Sequence, residues 1–146
     1  MNPMNARSAL NQYRNMGLHS NVMEASPHRL IQMLMEGALE RLATAKGCIE
    51  RGDSAQKGSL ISGAISIIGG LQASLDMDAG GEIAANLDAL YEYMNGRLLK
   101  ANASNDVELL DEVARLLLEI KSGWDAIPDA LKNARPGASV RVSGGA

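Results

Sequence analysis

Cysteine and aromatic residues are scarce in this sequence. It has one cysteine, Cys48, no phenylalanine, and only 3% aromatic residues among 146. One cysteine excludes an internal disulfide, and nothing beside it has metal-ligand spacing. The core must therefore be aliphatic, built from Leu, Ile, Ala and Met, and apart from Ile these residues favour helices.

The sequence also lacks long apolar runs and clusters of basic residues. No run reaches the roughly 20 apolar residues of a membrane-spanning helix, and the N-terminus has no signal-peptide pattern. The net charge is −3, and residues 25–127 hold nine Lys or Arg against fifteen Asp or Glu, which gives −6. Nucleic-acid binding needs clustered basic residues. We expect one cytosolic, cytoplasmic domain with no nucleic-acid partner and no membrane insertion, and we assign no function to the sparsely basic ends.

Four stretches carry apolar residues at the three- and four-residue steps of a helix face. Their apolar positions are Ile31, Leu34, Ala38, Leu42, Ala45 and Ile49; Ile61, Ala64, Ile68, Leu71 and Leu75; Ile83, Leu87, Leu90, Met94, Leu98 and Ala101; and Leu110, Val113, Leu117, Ile120, Trp124 and Ile127. In the second stretch, alternation from Ile61 to Ile67 also resembles a strand, but only the helical spacing continues to Leu75.

Helix boundaries are also predicted by the sequence. Ser26-Pro27 is typical of a helix start, and Asn105 with Glu108 has capping-box spacing for the fourth helix. Pro128 ends that helix. The prediction is an all-α antiparallel four-helix bundle over residues 25–128. A short N-terminal helix or flap occupies residues 1–24, and a mobile tail occupies residues 129–146.

The sequence offers no catalytic, cofactor or metal site. The histidines are His19 and His28, and neither forms the Glu-x-x-His pair of a di-iron bundle. His28 is predicted to be a solvated or capping residue in the first helical turn, and Cys48 a partly buried thiol. We therefore predict no cofactor and no enzyme activity. A cofactor-binding bundle enzyme stays as an alternative that an absorption spectrum would detect.

Three aliphatic residues stand among polar or small helical neighbours. They are Ile65, Leu99 and Leu118, on three different helices. Single exposed aliphatic residues are normal in proteins. Three of them favour an apolar groove, and such grooves accept amphipathic helices. We predict that these residues form a partner-binding groove.

Two stretches resemble signatures of a known family. Residues 22–38, VMEASPHRLIQMLMEGA, and residues 80–94, GGEIAANLDALYEYM, are similar to segments of the FliS family of flagellin export chaperones. Leu98 to Asn102, Asn105-Asp106 and Trp124 continue the similarity, which covers about residues 10–127.

The resemblance implies a cytoplasmic bundle that binds the C-terminal segment of flagellin. That segment wraps around the bundle, premature polymerisation is blocked, and the complex docks on the export gate protein FlhA. Ile65, Leu99 and Leu118 would then form the flagellin groove. Leu10 and Tyr13 match the family's gate-docking pattern within a flap. The alternative is a helical scaffold or dimerisation module without an export role, and a homodimer in the absence of client stays open.

Overall fold

The structure is a computed structural model that describes residues 25–128. Within this range the chain forms four helices, α1 (Pro27–Arg51), α2 (Ser54–Ala73), α3 (Met77–Ser104) and α4 (Val107–Asp125). The prediction of an all-α four-helix bundle is confirmed. The strand interpretation of residues 61–67 is wrong, because they lie inside α2. The predictions for residues 1–24 and 129–146 fall outside the described range.

An oxygen-bearing side chain caps the start of each described helix and accepts a hydrogen bond from a backbone N–H of the first turn. The pairs are Ser26 with Arg29 at 3.1 Å, Asp53 with Gln56 at 3.2 Å, Asp76 with Ala79 at 2.9 Å, and Asp106 with Glu108 at 3.0 Å. The prediction that Asn105 caps the fourth helix is therefore wrong. Asn105 instead ends α3 in the left-handed conformation, with φ 55°, which asparagine tolerates better than most residues.

The helices pack in a ring in which α1 and α3 each contact both α2 and α4. Polar contacts show that neighbours are antiparallel. Lys57, at the start of α2, donates to the Asn102 carbonyl at the end of α3 over 2.8 Å. Gln72, near the end of α2, donates to Asp88, early in α3, over 3.1 Å. The Lys57 ammonium also lies at the negative end of the α3 dipole, where a cation is favourable.

The core is mainly aliphatic, as predicted, and all five apolar positions predicted for the second helix are buried, although Leu75 lies just beyond the end of α2. The prediction for α3 is partly wrong, because Ile83 is exposed and Tyr91 is buried. The buried face runs through Ala84, Tyr91 and Leu98, seven residues apart. The helix is kinked at Gly81, whose φ of 54° and ψ of −130° are not helical. Ile83 follows this kink directly and lies outside the buried face.

His28 is buried rather than solvated, so this prediction is also wrong. Its side chain is only 2% exposed, and its ring stacks on Trp124 with centroids 5.0 Å apart. His28 Nε2 donates to the Trp124 carbonyl over 2.7 Å, and Trp124 Nε1 donates to the His28 carbonyl over 2.9 Å. Each side chain thus donates a hydrogen bond to the backbone carbonyl of the other residue. The pair joins the start of α1 to the end of α4.

Cys48 is fully buried, more than predicted, in the last turns of α1. Among residues 25–128, no helix is long and apolar enough to cross a membrane.

Candidate functional site

Two of the three predicted groove residues lie together where α2 and α3 meet. We call this the α2/α3 seam, formed by Gly58, Ile65 and Gly69 of α2 and by Asn95, Leu99 and Asn102 of α3. The Asn95 side-chain amide donates to the Ile65 carbonyl over 3.2 Å. Leu99 follows Asn95 by one helical turn and is 62% exposed. Ile65 is only partly exposed and packs against the core.

Two glycines, Gly58 and Gly69, line the α2 side of the α2/α3 seam. A Cβ added at Gly58 or Gly69 would lie 3.9 Å from the side chain of Asn102 or Asn95, respectively, in ordinary contact. The glycines therefore leave space beside α3, but the packing of α3 does not require glycine at these two positions. The Asn95 carbonyl oxygen Oδ1 is buried and has no hydrogen-bond donor in the part of the chain that the structure describes.

The third predicted residue lies where α1 and α4 meet. We define the α1/α4 seam by Gln32, Leu39 and Lys46 of α1 and by Asp111, Leu118 and Asp125 of α4. Gln32 donates to Asp125 over 2.6 Å, and Lys46 to Asp111 over 3.1 Å.

Both sets of residues are spaced by seven, so the middle pair, Leu39 and Leu118, must lie opposite each other between the two polar contacts. Leu118 is 53% exposed, and Leu39 is partly buried against the core. The α1/α4 seam is therefore a leucine pair flanked by polar contacts, and the Lys121–Glu36 ion pair at 3.7 Å also crosses it on the Gln32 side.

The two seams lie on opposite sides of the ring, because α1 and α4 form one side and α2 and α3 the other. The structure brings Ile65 close to Leu99 but separates both from Leu118. A single short helix in one groove cannot contact all three residues. The predicted docking residues Leu10 and Tyr13 lie outside the described residues.

A third surface was not predicted from the sequence. Between α3 and α4, the Tyr93 hydroxyl donates to Glu112 over 2.6 Å and Arg97 Nε donates to the same carboxylate over 2.9 Å. The Arg97 guanidinium also lies 5.5 Å from the centre of the Tyr93 ring. Residues 93 and 97 are one helical turn apart, but nothing in the sequence identifies Glu112 as their partner.

This network changes the acidity of its members. The hydrogen bonds from Tyr93 and Arg97 hold the pKa of Glu112 below its usual range. The same bond to the carboxylate raises the pKa of Tyr93, because the ionised phenol would lose it and repel Glu112. The Glu112 carboxylate is thus kept charged on a surface that also presents an aromatic ring and a guanidinium.

The cavities of the described bundle differ widely in size. An open cleft of about 510 Å³ lies beside the end of α3 and the start of α4 and is lined mainly by charged residues, among them Lys100, Glu112 and Arg115. An apolar cavity at the end of the bundle, beside Trp124, Leu75 and Tyr91, holds about 20 Å³. That volume admits little more than one water molecule. Within the described range, no group of three or more His, Cys, Asp or Glu is placed to hold a metal ion.

Comparison with known proteins gives a consistent result. A family model described as "FliS: Flagellar protein FliS" matches residues 9–131. The flagellar secretion chaperone FliSB of Pseudomonas aeruginosa is 58% identical over 124 residues, covering 85% of this chain and 98% of that protein.

More distant relatives carry the same description. The flagellar secretion chaperone FliS of Vibrio cholerae is 42% identical, over 87% of this chain and 93% of its own length. The FliS chaperone of Salmonella typhimurium is 46% identical, over 85% of this chain and 93% of its own length.

Proposed function

This chain belongs to the FliS family, and we propose that it is a flagellar export chaperone that binds the C-terminal segment of flagellin. In this proposal the bound segment cannot polymerise before export. The observation that carries the proposal is a pair of seams, each with an exposed leucine, on opposite sides of a bundle whose relatives are named flagellar secretion chaperones.

The positions of the seams favour a long client that wraps around the bundle. Leu99 and Leu118 lie on opposite sides, so a client that contacts both must pass around one end or one face. A segment that folds on binding loses conformational entropy and must bury a large area to bind well. Encircling a preformed bundle provides that area without a deep pocket. Amphipathic helices of the client would place their apolar faces in the seams.

Delivery to the export gate completes the proposal. Leu10 and Tyr13 would dock the loaded chaperone on FlhA in the cytoplasm, as the family resemblance implies. A variant with Leu10→Ala and Tyr13→Ala should bind flagellin normally, while its complex with flagellin loses affinity for FlhA. Gate binding that is equal to wild type would contradict the assignment of these two residues.

The client proposal is tested by changing one exposed leucine on each seam. Leu99→Ser and Leu118→Ser should each weaken binding of a flagellin C-terminal peptide, because burying the exposed half or more of a leucine contributes about 1–2 kcal/mol, which is roughly five- to thirtyfold in affinity. Isothermal titration gives the affinity. Circular dichroism and urea unfolding should match wild type, because both side chains are mostly exposed.

Ile83→Ser provides a matched control, since Ile83 is an exposed aliphatic residue of α3 outside both seams. It should leave the affinity for the flagellin peptide unchanged. Equal affinity for wild type, Leu99→Ser and Leu118→Ser would contradict the groove assignment. A stable homo-oligomer that persists when flagellin is added would instead favour the scaffold alternative.

A further inference from the structure

The charges of the bundle are distributed unevenly between its two sides. Residues 58–96, which cover most of α2 and the first two-thirds of α3, contain no Lys, Arg or His. The same stretch contains Asp76, Asp78, Glu82, Asp88 and Glu92. By contrast, α1 and α4 carry interhelical ion pairs such as Lys46 with Asp111. Residues 58–96, on the α2/α3 side, therefore carry only negative charge.

Four of these carboxylates form a surface along the first half of α3. We call it the acidic face, consisting of Asp78, Glu82, Asp88 and Glu92. Three are exposed, and Asp88 is partly exposed. Within residues 25–128, none of the four belongs to an ion pair. Like charges along one helix repel each other, so a cationic segment would be favourable here.

Exposed apolar side chains accompany these charges. Met77 is 45% exposed at the start of α3, and Ile83 is also exposed, directly after the Gly81 kink. The surface thus combines negative charge with accessible apolar area. It fits a segment that carries basic residues and small aliphatic residues, and it does not require aromatic side chains.

The chain itself contains such a segment. The family model matches only as far as residue 131, and residues 132–146 follow with the sequence KNARPGASVRVSGGA. They contain Lys132, Arg135 and Arg141, two valines, no aromatic residue and no Asp or Glu. Their composition is complementary to that of the acidic face.

The described chain also ends near the acidic face. Trp124 of α4 lines one small cavity with Leu75 and Leu87, so the end of α4 lies beside the start of α3. Ile127 is buried there, and the described chain ends at Pro128. An extended chain covers about 3.3 Å per residue, whereas the helix from Asp78 to Glu92 is about 21 Å long at 1.5 Å per residue. Residues 132–146 can therefore reach the whole acidic face.

We propose that residues 132–146 dock on the acidic face of the same molecule, with Lys132, Arg135 and Arg141 neutralising its carboxylates. Individual exposed ion pairs are weak. Tethering gives the segment a high effective concentration, so several weak pairs suffice. The contact is sensitive to salt, because exposed charges are screened. The inference does not depend on flagellin binding.

The proposal is tested by attaching a spin label to the segment and recording NMR spectra of the backbone amides. Amide signals weaken when the amide lies close to the label. The full chain would carry Ser143→Cys for the label and Cys48→Ala to remove the native thiol. At low ionic strength, the label should weaken the amide signals of residues 78–92 more than those of α1 and of the first turns of α4. Raising the salt to about 1 M, where the Debye length is about 3 Å, should remove the difference.

Charge variants with a matched control sharpen the test. Combining Asp78→Asn, Glu82→Gln and Glu92→Gln should abolish the local effect of the label. Combining Glu40→Gln, Glu50→Gln and Glu119→Gln changes the net charge equally at exposed positions elsewhere and should preserve it. Signal loss spread evenly over the bundle, or unaffected by the acidic-face variant, would overturn the proposal. A mixture of spin-labelled molecules with molecules that carry no label gives a second check. Signal loss on the molecules without a label would also overturn the proposal, because the acidic face would then bind the segment of a second copy.

Discussion

The two sides of the bundle are built differently. The α1/α4 side is closed by specific polar contacts, with the reciprocal His28–Trp124 bonds at one end and Lys46 with Asp111 towards the other. On the α2/α3 side, glycines line the seam and few side chains bridge it. The geometry of the α1/α4 side is therefore fixed by hydrogen bonds between residues that are distant in the chain. The α2/α3 side has space, and an exposed leucine, that a partner can contact.

This difference indicates that the α1/α4 side stabilises the bundle, whereas the α2/α3 side is available for binding. The contacts of α1 with α4 join residues 96 positions apart in the chain and hold the ring closed. With the ring closed, the α2/α3 side needs only a few hydrogen bonds between its helices to stay folded. Regions that bind partners are commonly the less stable parts of a fold. The comparison predicts that stability is most sensitive to change on the α1/α4 side.

The largest effect is expected at Trp124. Trp124→Ala removes a buried ring, its stacking on His28 and the bond to the His28 carbonyl, and should lower the free energy of unfolding by about 3–5 kcal/mol. Trp124→Phe keeps most of the ring but loses the hydrogen bond to that carbonyl, which should cost about 0.5–1.5 kcal/mol. Urea unfolding monitored by circular dichroism measures both.

Met77→Ala serves as the control for the Trp124 series, because Met77 is exposed at the start of α3. Its cost should stay within about 0.5 kcal/mol, as for other surface changes. If Trp124→Ala cost no more than this control, the α1/α4 side would not be the fixed part of the bundle.

The second prediction separates two residues of the α2/α3 seam. Ile65 packs against the core, so Ile65→Ser should cost about 1–3 kcal/mol through loss of buried apolar surface. Leu99→Ser should cost less than about 0.5 kcal/mol, because Leu99 is mostly exposed. Thermal unfolding at one pH compares them. Equal costs would mean that the two residues do not differ in burial, and that Ile65 is as available to a partner as Leu99.

The third prediction compares two glycines of α3 with effects of opposite sign. Gly81 has φ 54° and ψ −130°, a conformation that side chains disfavour, so Gly81→Ala should destabilise by about 1–3 kcal/mol. Gly96 lies in the regular helix with nothing within 4 Å of an added Cβ, so Gly96→Ala should stabilise by up to about 1 kcal/mol. A urea midpoint that Gly81→Ala leaves unchanged or raises would contradict the kink at Gly81.

Local patterns predicted the helices well because helical spacing and capping residues act over only a few positions. The core stripes of α1, α2 and α4 follow directly from the sequence, and so does the exposure of Leu99 and Leu118. His28 was predicted wrongly because its burial depends on Trp124, 96 residues away. No periodicity in the first helix indicates that partner.

The arrangement of the candidate site was also beyond local patterns. The sequence predicts that Ile65 and Leu118 are surface aliphatic residues, but not that they lie on opposite sides of a ring. The Tyr93–Glu112 contact likewise depends on the register between α3 and α4, which only packing defines.

The smallest effect is expected from the pH dependence of the Tyr93–Arg97–Glu112 network. Hydrogen bonds from Tyr93 and Arg97 lower the pKa of Glu112 in the folded protein. An acid whose folded pKa is lowered stabilises the fold above its unfolded pKa, near 4.3, and this contribution disappears as the pH falls through the folded pKa. Stability should therefore decrease from about pH 5 downward.

Glu112→Gln should make that decrease shallower, whereas Glu119→Gln, an exposed carboxyl of the same helix, provides the control for removing one charge. Urea unfolding between about pH 2 and 7 measures the slope, which reports the protons taken up on unfolding. Because the network lies at the surface of α3 and α4, salt should reduce the difference between the two variants. A slope that Glu112→Gln leaves unchanged would show that the carboxylate is not held by these bonds in solution. The network would then be a loose surface contact, and the α3/α4 side would resemble the open α2/α3 side more than the fixed α1/α4 side.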